Sequence, residues 1–428
     1  MKGGLWRYGF AWLVGTIALA GAATAQEAKP GAPLPPWRNG ELDIHHINTG
    51  RGNAAFLIFP DGTTLLIDAG DLDGERFAKR SPALKLAPRR PSADVTPGRA
   101  IADYIRAAAP HGMEPKLDYA LITHFHDDHF GGWRPGLARS SHGAYALTGI
   151  TEVAEHIPVA RIIDGGALAP GASGVVDVAQ REGLRNYHAF LQAQAARGQS
   201  REDLAVGSDE QIRLLRRPKD FPTFQVRNIK ANERLWDGAE GTVQLFDSAV
   251  AVYPDGKRQE NPLSLAIKLS YGAFDYFSGG DLTGLDGPGV PDWFDVETPV
   301  AAIVGEVDAL TLDHHGNRDA TNAGFLAKLR PRVVVQQSWV SDQPGGEVAQ
   351  RLNSRALWSG DRDVFATNLA DETRLAIGGV VDQLYRSRQG HVVIRVEPGG
   401  GAYRVFVLDD TIPSLRVRAI FGPYLSRD

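Results

Sequence analysis

The sequence of 428 residues contains no cysteine and only two methionines. Without a thiol, the protein has no disulfide bond, no cysteine nucleophile and no thiolate ligand for a metal ion. A metal site in this chain therefore has to be built from histidine and carboxylate side chains. The sequence also lacks a glycine-rich phosphate loop followed by Lys-Ser or Lys-Thr, so a nucleotide-driven reaction is not indicated.

Positive charge and long apolar runs are also scarce. The formal net charge is −5, which does not indicate a broadly basic surface for nucleic acid, although a local basic groove stays open. One apolar run, residues 10–21, follows Lys2 and Arg7 and precedes the small-residue triplet 23–25. This order predicts a secretory signal peptide over residues 1–25. The alternative, an uncleaved membrane anchor, is disfavoured because the run is short for a bilayer span.

The predicted signal peptide indicates a periplasmic or secreted protein with no transmembrane span after cleavage. Residues 26–40 are rich in proline and predict a flexible leader. Residues 41–380 predict one large α/β domain, with an insertion at about 165–240 where strand signals are weak. Residues 381–428 predict a C-terminal β-hairpin extension, because two alternating apolar segments flank a Pro-Gly-Gly-Gly turn.

Apolar segments bounded by turn residues predict the secondary structure. Strands are predicted at 42–47, 54–59, 64–68, 117–123, 160–164, 243–246, 263–269, 274–277, 309–312, 333–335, 391–396 and 402–407. Helices are predicted at 101–109, 151–156, 183–196 and 323–329. Residues 73–98 are polar, basic and proline-containing, and predict a loop. The order of elements suits a layered α/β sandwich with functional residues at strand ends.

One cluster of chemically active side chains directly follows the strand predicted at 117–123. Strand alternation lets His124 and His126 point the same way, and the following turn can bring Asp128 and His129 to a second point. Imidazole and carboxylate suit zinc and similar divalent ions, and two such ions can share a bridging hydroxide. A solvated polar turn is the disfavoured alternative, because three histidines and two aspartates fall within six residues.

The run 123–132 resembles the His-x-His-x-Asp-His signature of the metallo-β-lactamase superfamily. Segments 66–70, 277–282 and 312–317 resemble, in the same order, the motifs that supply a supporting aspartate, a metal-bridging carboxylate and a last metal ligand. The resemblance implies a four-layer αββα metallo-β-lactamase-type sandwich over roughly residues 42–340. It also implies one or two Zn²⁺ ions, with Mn²⁺ or iron as other candidates.

The segment from residue 260 to the His-His-Gly motif is similar to the hydrolase domain of the competence-related ComEC/Rec2 proteins, and the general plan is similar to phosphorylcholine esterases. The metal ligands implied by the resemblance are His124, His126, Asp128, His129, Asp281 and His314. His314 is preferred to His315 because the preceding strand delivers it directly. Asp128 and His315 are the expected catalytic residues, with His315 as a proton donor or a support for the ligands. Asp68 is expected to orient a ligand by hydrogen bonding.

The sequence departs from the superfamily at one position. A further histidine usually precedes the bridging aspartate, but residues 254–261 contain none. Asn261 or a water could complete the first metal's coordination, and Asp164 at a strand end is another candidate. His156 and His188 lie in predicted helices, where surface or capping positions are expected. The sequence therefore leaves one and two metal ions open.

Three functions remain after these observations. The first is hydrolysis of a phosphoester, chiefly a phosphodiester, by a metal-bound hydroxide, and it rests on the resemblance. Its substrate would be a small molecule or a cell-envelope component; nucleic acid stays open but is not indicated by the charge. The second is hydrolysis of a β-lactam, lactone or thioester by the same site. The third is a non-catalytic binding module with a degenerate metal site, which the missing histidine favours.

Overall fold

The computed structural model describes residues 1, 28–166, 178–252, 256 and 258–427. The predicted signal peptide, apart from Met1, lies outside the described residues. Among the residues that are described, no helix combines the length and the apolar character that a membrane span requires.

Eighteen strands are formed by the described residues. In chain order they are β1 Leu42–His46, β2 Ala55–Ile58, β3 Thr64–Ile67, β4 Leu117–Leu121, β5 Val159–Asp164, β6 Ser200–Asp203, β7 Phe224–Ala231, β8 Arg234–Trp236, β9 Thr242–Gln244, β10 Ala266–Tyr271, β11 Phe274–Ser278, β12 Ala309–Thr311, β13 Val333–Gln336, β14 Asp363–Ala366, β15 Tyr385–Ser387, β16 His391–Val396, β17 Ala402–Leu408 and β18 Val417–Leu425.

Nine α-helices accompany these strands in the same part of the chain. They are α1 Gly74–Arg80, α2 Pro97–Ala108, α3 Ile150–His156, α4 Val178–Ala196, α5 Glu297–Val304, α6 Ala323–Leu329, α7 Gly346–Asn353, α8 Asp371–Ile377 and α9 Gly379–Leu384.

The strands form two mixed sheets. The first sheet has the order β18-β17-β16-β1-β2-β3-β4-β5-β6, and the second has the order β15-β14-β13-β12-β11-β10-β7-β8-β9. In the first sheet the pairs from β18 to β3 are antiparallel, whereas β3, β4, β5 and β6 are parallel. In the second sheet the parallel strands are β11 to β15.

Three apolar clusters hold the two sheets and the helices together in four layers. One cluster lies between the sheets, a second joins α2, α3 and α4 to the first sheet, and a third joins α5, α6 and α7 to the second sheet. Strand β3 shows how the sequence produces this arrangement. Leu65 and Ile67 belong to the cluster between the sheets, and Leu66 belongs to the helix-side cluster. Each such side chain contributes roughly 1.5–3 kcal/mol by burial. The predicted αββα fold is therefore confirmed.

The structure differs from two of the divisions of the chain that were predicted from the sequence. The C-terminal hairpin is no extension, because β16 pairs with β1 inside the first sheet. The stretch at about 165–240 is no insertion, because it supplies β6 to the first sheet and places β7 beside β10 in the second. Residues 167–177 of that stretch lie outside the described residues. The predictions failed because strands that are neighbours in a sheet can be far apart in the chain.

The two segments predicted as loops also differ from expectation. Part of the predicted flexible leader is held in place, because the amides of Gly31 and Leu34 donate hydrogen bonds to the carbonyls of Val417 and Leu415 at 2.8 and 2.7 Å. The rest of the leader, residues 26 and 27, lies outside the described residues. The predicted loop at 73–98 contains the helix α1, whose N-terminus is capped by Asp73.

Candidate metal centre

The histidine motif lies at the carboxyl end of β4 and is fixed by the ends of neighbouring strands. The amides of Asn53 and Ala69 donate hydrogen bonds to the carbonyls of Asp128 and His129 at 2.8 and 2.7 Å. Residues Asp127–Gly131 form a single wide helical turn, of which Asp128 and His129 are buried. This turn moves Asp128 and His129 away from the direction of the strand, as the sequence predicted.

Two groups of potential ligands come together at this point. The first group is His124, His126 and Asp281, and the second group is Asp128, His129, Asp281 and His315. Within each group the candidate ligand atoms all lie within 4.8 Å of one another. Asp281 follows β11 and is common to both groups, which is the arrangement expected of a carboxylate that bridges two ions.

The structure reverses the preference between the two adjacent histidines. The Nε2 atom of His315 lies 3.0 Å from Asp128 Oδ2 and 3.6 Å from Asp281 Oδ2. His314 is outside both groups, and its Nδ1 lies 2.7 Å from Asp319 Oδ1. Both histidines have left-handed backbones, with φ of 46° and 56°. This double turn aims His315 at the second group, whereas the sequence argument assumed that an extended strand delivers His314.

Hydrogen bonds behind the second group orient its two imidazoles. The Nδ1 atom of His129 lies 2.8 Å from Asp68 Oδ2, and the Nδ1 atom of His315 lies 2.9 Å from the carbonyl oxygen of Gln337. Donation to these acceptors places the proton on Nδ1, so Nε2 is the ring atom that can bind a metal ion. In His315 this atom also accepts a long hydrogen bond of 3.4 Å from the indole N–H of Trp339. Asp68 also accepts hydrogen bonds from the amide and hydroxyl of Thr123, both at 2.8 Å. The structure thus places Asp68 behind a candidate ligand, where the sequence expected it.

The electrostatics of the centre reflect a concentration of buried charge. Burial lowers the pKa of His124 well below its usual range, and the neighbouring His129 adds to this effect. Burial would lower the pKa of His129 too, but Asp281, Asp68 and Asp128 outweigh it and raise that pKa well above the usual range. Burial opposes ionisation of Asp281, yet His129 and His315 hold its pKa well below the usual range.

Three buried polar atoms indicate whether the residues of the centre fit a cation. His129 Nε2, Asp281 Oδ1 and Asn261 Oδ1 are buried and have no hydrogen-bond partner. His129 Nε2 lies only 3.1 Å from Asp281 Oδ1. Buried polar atoms without partners are rare because they are costly, and imidazole nitrogen and carboxylate oxygen are ligands that divalent ions prefer. The residues present therefore fit a divalent cation.

The remaining candidates from the sequence have other places in the structure. Asp164 is outside both groups, and its carboxylate forms an ion pair with Arg201 and accepts a hydrogen bond from the hydroxyl of Tyr187 at 2.9 Å. His156 and His188 are also outside both groups. Asn261 lies at the centre, with its Nδ2 3.1 Å from His314 Nε2.

A cavity of about 640 Å³ opens onto the centre. His126, Asp128, Asp281, His314 and His315 line it together with Asn261. The cavity is also lined by Trp339 and by residues that sequence reasoning missed, namely Leu72, Arg76, Phe77, Arg80, Leu84 and Val340.

Three of these missed residues, Arg76, Phe77 and Arg80, belong to α1, and Leu72 and Leu84 flank it. The sequence did carry a signal for this helix. Asp73 is a favourable N-cap, Glu75 follows in the first turn, and Lys79 and Arg80 close the last turn. These are the usual start and stop signals of a helix.

Comparisons with known proteins agree with the motif and the fold. Residues 48–158 match the family model of the metallo-beta-lactamase superfamily. No curated protein sequence matches the chain.

Three solved structures illustrate how distant the likeness is. Unliganded yeast PDE1 is 12% identical, with 82% of this chain and 98% of that chain covered and a TM-score of 0.37. Zn(2+)-bound PqqB from Methylobacterium extorquens is 12% identical, with coverages of 69% and 88% and a TM-score of 0.32. The short form of human tRNase Z is 14% identical, with coverages of 68% and 91% and a TM-score of 0.28. Likenesses as distant as these do not identify a substrate for this protein.

The matched segment begins before β2 and ends just before β5, so it includes Asp68 and the whole histidine motif. The predicted branch that resembles ComEC/Rec2 stays a prediction. The match of residues 48–158 to the metallo-β-lactamase superfamily agrees with the histidine motif and with the hydrolase class predicted from it.

Proposed function

We propose that the protein is a metal-dependent phosphodiesterase with two divalent cations, and that Asp281 bridges them. The observation that carries this proposal is the membership of Asp281 in both ligand groups. His124 and His126 would hold one ion with Asp281, and Asp128, His129 and His315 would hold the other. Zinc is the proposed metal because imidazoles outnumber carboxylates among these side chains, and imidazole suits zinc better than it suits magnesium or calcium.

The chemistry follows from that arrangement. Divalent cations lower the pKa of a bound water and polarise a phosphoryl oxygen. In the hydrolysis, the water oxygen forms a bond to phosphorus, the bond from phosphorus to the leaving oxygen breaks, and the leaving oxygen takes up a proton. His314 lines the cavity beside Asp281, and Asp319 and Asp281 overcome burial to raise the pKa of its ring to about 9. We therefore propose His314 as the proton donor, a role that the sequence analysis expected of His315.

Guanidinium groups at the cavity support an anionic substrate. Arg80 lines the same cavity as the ligand groups, together with Arg76 and Arg258, which also form ion pairs with Asp127 and Glu260. A guanidinium group binds phosphoryl oxygens through charge-assisted hydrogen bonds. A phosphodiester, which keeps a negative charge at neutral pH, suits this cavity better than a neutral lactone or thioester.

The experiment combines metal analysis with a substrate panel. Purified protein is expected to hold two equivalents of zinc and to hydrolyse bis-p-nitrophenyl phosphate faster than nitrocefin or a lactone. Asp281→Ala is expected to lose both metals and to lower kcat/KM by at least about a thousandfold, since the metals supply the main rate enhancement. Asp94→Ala, at an exposed aspartate, is the matched control and should match the unmodified protein. Hydrolysis of the acyl substrates alone, or protein without bound metal, would show the proposal to be wrong.

We also propose that the protein is exported to the periplasm or the medium. The support is the order of a basic start, an apolar run and a small-residue triplet in residues 1–25. N-terminal sequencing of protein from the native host should find the mature chain beginning near Gln26, and an intact Met1 would contradict export by cleavage.

A further inference from the structure

A set of apolar side chains borders the metal centre inside the cavity. The rings of His315 and Trp339 lie 5.7 Å apart, and Phe77 packs edge to face on Trp339 at 5.2 Å. These contacts carry an apolar surface from a candidate ligand out to α1. The complete surface, here called the apolar wall, consists of Leu72, Phe77, Leu84, Trp339 and Val340.

The apolar wall is separate from the three clusters that hold the layers together. Phe77, Trp339 and Val340 form a small cluster of their own, joined by partly buried leucines. A small cluster under a connecting segment often serves only to attach that segment. Whether the apolar wall has this role depends on what else attaches α1 and the residues after it.

Backbone hydrogen bonds and an ion pair already attach this segment. The amide of Ala87 donates to the carbonyl of Trp339 at 2.8 Å, and the amide of Ser341 donates to the carbonyl of Lys85 at 3.0 Å. Arg76 forms an ion pair with Asp127, within the histidine motif. The segment is therefore tied to both sides of the cavity by groups other than the side chains of the apolar wall.

Resting on the proposed function, we propose that the substrate carries an aryl or alkyl group on its phosphoryl centre and that this group packs against the apolar wall. The wall begins at His315, so an apolar group attached next to the reacting phosphorus reaches it directly. Arg76 and Arg80 belong to the same helix as Phe77 and also line the cavity, which places positive charge beside the apolar surface. A sugar in this position would lose the hydration of its hydroxyl groups without gaining hydrogen bonds.

The test measures binding rather than turnover. Phenylphosphonate and methylphosphonate differ only in the apolar group, and calorimetry on the zinc-loaded full-length mature protein gives a Kd for each. We expect phenylphosphonate to bind at least about tenfold more tightly, because only the phenyl group has enough area to cover the wall. Phe77→Ala should remove most of that preference and leave the Kd of methylphosphonate unchanged.

Two further variants make the result specific. Phe77→Leu keeps an apolar side chain and should retain part of the preference for phenylphosphonate. This variant can still be measured if Phe77→Ala fails to fold. Lys79→Ala changes an exposed residue of α1 that does not line the cavity and should leave both Kd values unchanged.

The outcomes separate this inference from the proposed function. Equal binding of the two phosphonates, or no binding of either, overturns the role of the apolar wall, whatever substrate is hydrolysed. A Phe77-dependent preference together with no hydrolysis of bis-p-nitrophenyl phosphate keeps the apolar wall and overturns the phosphodiesterase.

Discussion

At the scale of single residues, Asp68 contacts the metal centre without being one of its candidate ligands. Its carboxylate accepts from Thr123 twice and lies 2.8 Å from His129 Nδ1. Its backbone has φ of 60°, a left-handed conformation that is uncommon for a residue with a side chain. Such strain is retained where the surrounding structure requires it, which fits a residue that holds a ligand in place.

Replacing Asp68 with asparagine tests this role. The amide has the same shape but no charge, so it binds the Nδ1–H of His129 less strongly. We expect Asp68→Asn to weaken zinc binding by about 10–100-fold, the usual effect of losing a partner behind a ligand. Competition with a chromophoric chelator measures the affinity, and circular dichroism checks that the fold is kept. An unchanged affinity in a folded variant would mean that Asp68 only supports the backbone of Thr123.

The predictability of the site also differs from residue to residue. His124, His126, Asp128 and His129 could be found because they are close in the chain and follow a buried strand. The choice between His314 and His315 failed because two consecutive left-handed residues leave no mark in the sequence at these positions. The group that orients His315 is the backbone carbonyl of Gln337. Any residue type supplies such a carbonyl, so no side-chain pattern could reveal this contact.

At the scale of elements, the loops after β1 and β3 form a platform for the histidine motif. A Cβ atom on Gly52 or Gly70 would lie 2.1 Å from the carbonyl oxygen of Asp128, far inside van der Waals contact. The backbone can approach so closely only because both residues lack a side chain. The position of Asp128 therefore depends on these glycines as well as on the turn that contains it.

Gly70→Ala should displace the turn that carries Asp128 and His129. We expect a loss of about 1–3 kcal/mol in the free energy of unfolding, the usual range for overpacking at a buried site, and weaker metal binding. Denaturant unfolding with and without chelator measures both effects. The matched control is Gly346→Ala, where an added Cβ meets nothing within 4 Å and lies at the start of α7. If Gly70→Ala and Gly346→Ala were equally stable, the loops after β1 and β3 would not hold the histidine motif in place.

Buried strands such as β3 and β4 were predicted from the sequence, whereas the edge strand β6 was not. Strands such as β3 and β4 are buried along their whole length and appear in the sequence as apolar runs. Strand β6 is an edge strand of four largely exposed residues, Ser-Arg-Glu-Asp, which carries no apolar signal. Its pairing with β5 is decided by backbone hydrogen bonds, so its residue types do not reveal it.

Across the whole molecule, buried polar contacts join elements that are distant in sequence. The imidazole of His46 in β1 lies 3.2 Å from the hydroxyl of Tyr276 and 3.0 Å from that of Thr311, both in the second sheet. His391 in β16 accepts a hydrogen bond from the amide of Asn48 at 3.0 Å. These contacts depend on how the two sheets face each other, so the partners of His46 and His391 could not be predicted from the sequence.

The buried His46 and His391 make the stability of the whole fold sensitive to acid. Burial lowers the pKa of His46 to about 3, and burial together with His45 lowers the pKa of His391 to about 3. In the unfolded chain both have a pKa near 6.5. The native state therefore keeps them neutral while the unfolded state binds protons. Their contribution to stability is complete above about pH 6.5 and is lost progressively as the pH falls towards 3.

The effect can be separated from the metal centre by working on metal-free protein. Between pH 8 and pH 5, each histidine should lower the free energy of unfolding by about 2 kcal/mol, because its pKa is about 3 in the folded state and near 6.5 in the unfolded state. His46→Gln retains a group that can form hydrogen bonds across the sheets but cannot be protonated in this pH range. Between pH 8 and pH 5 this variant should therefore lose about 2 kcal/mol less stability than the unmodified protein. His111→Gln, at an exposed histidine, is the control and should follow the unmodified protein. If His46→Gln lost as much stability on acidification as the control, the imidazole would not be excluded from protonation, and the contact between the sheets would have to be open to water.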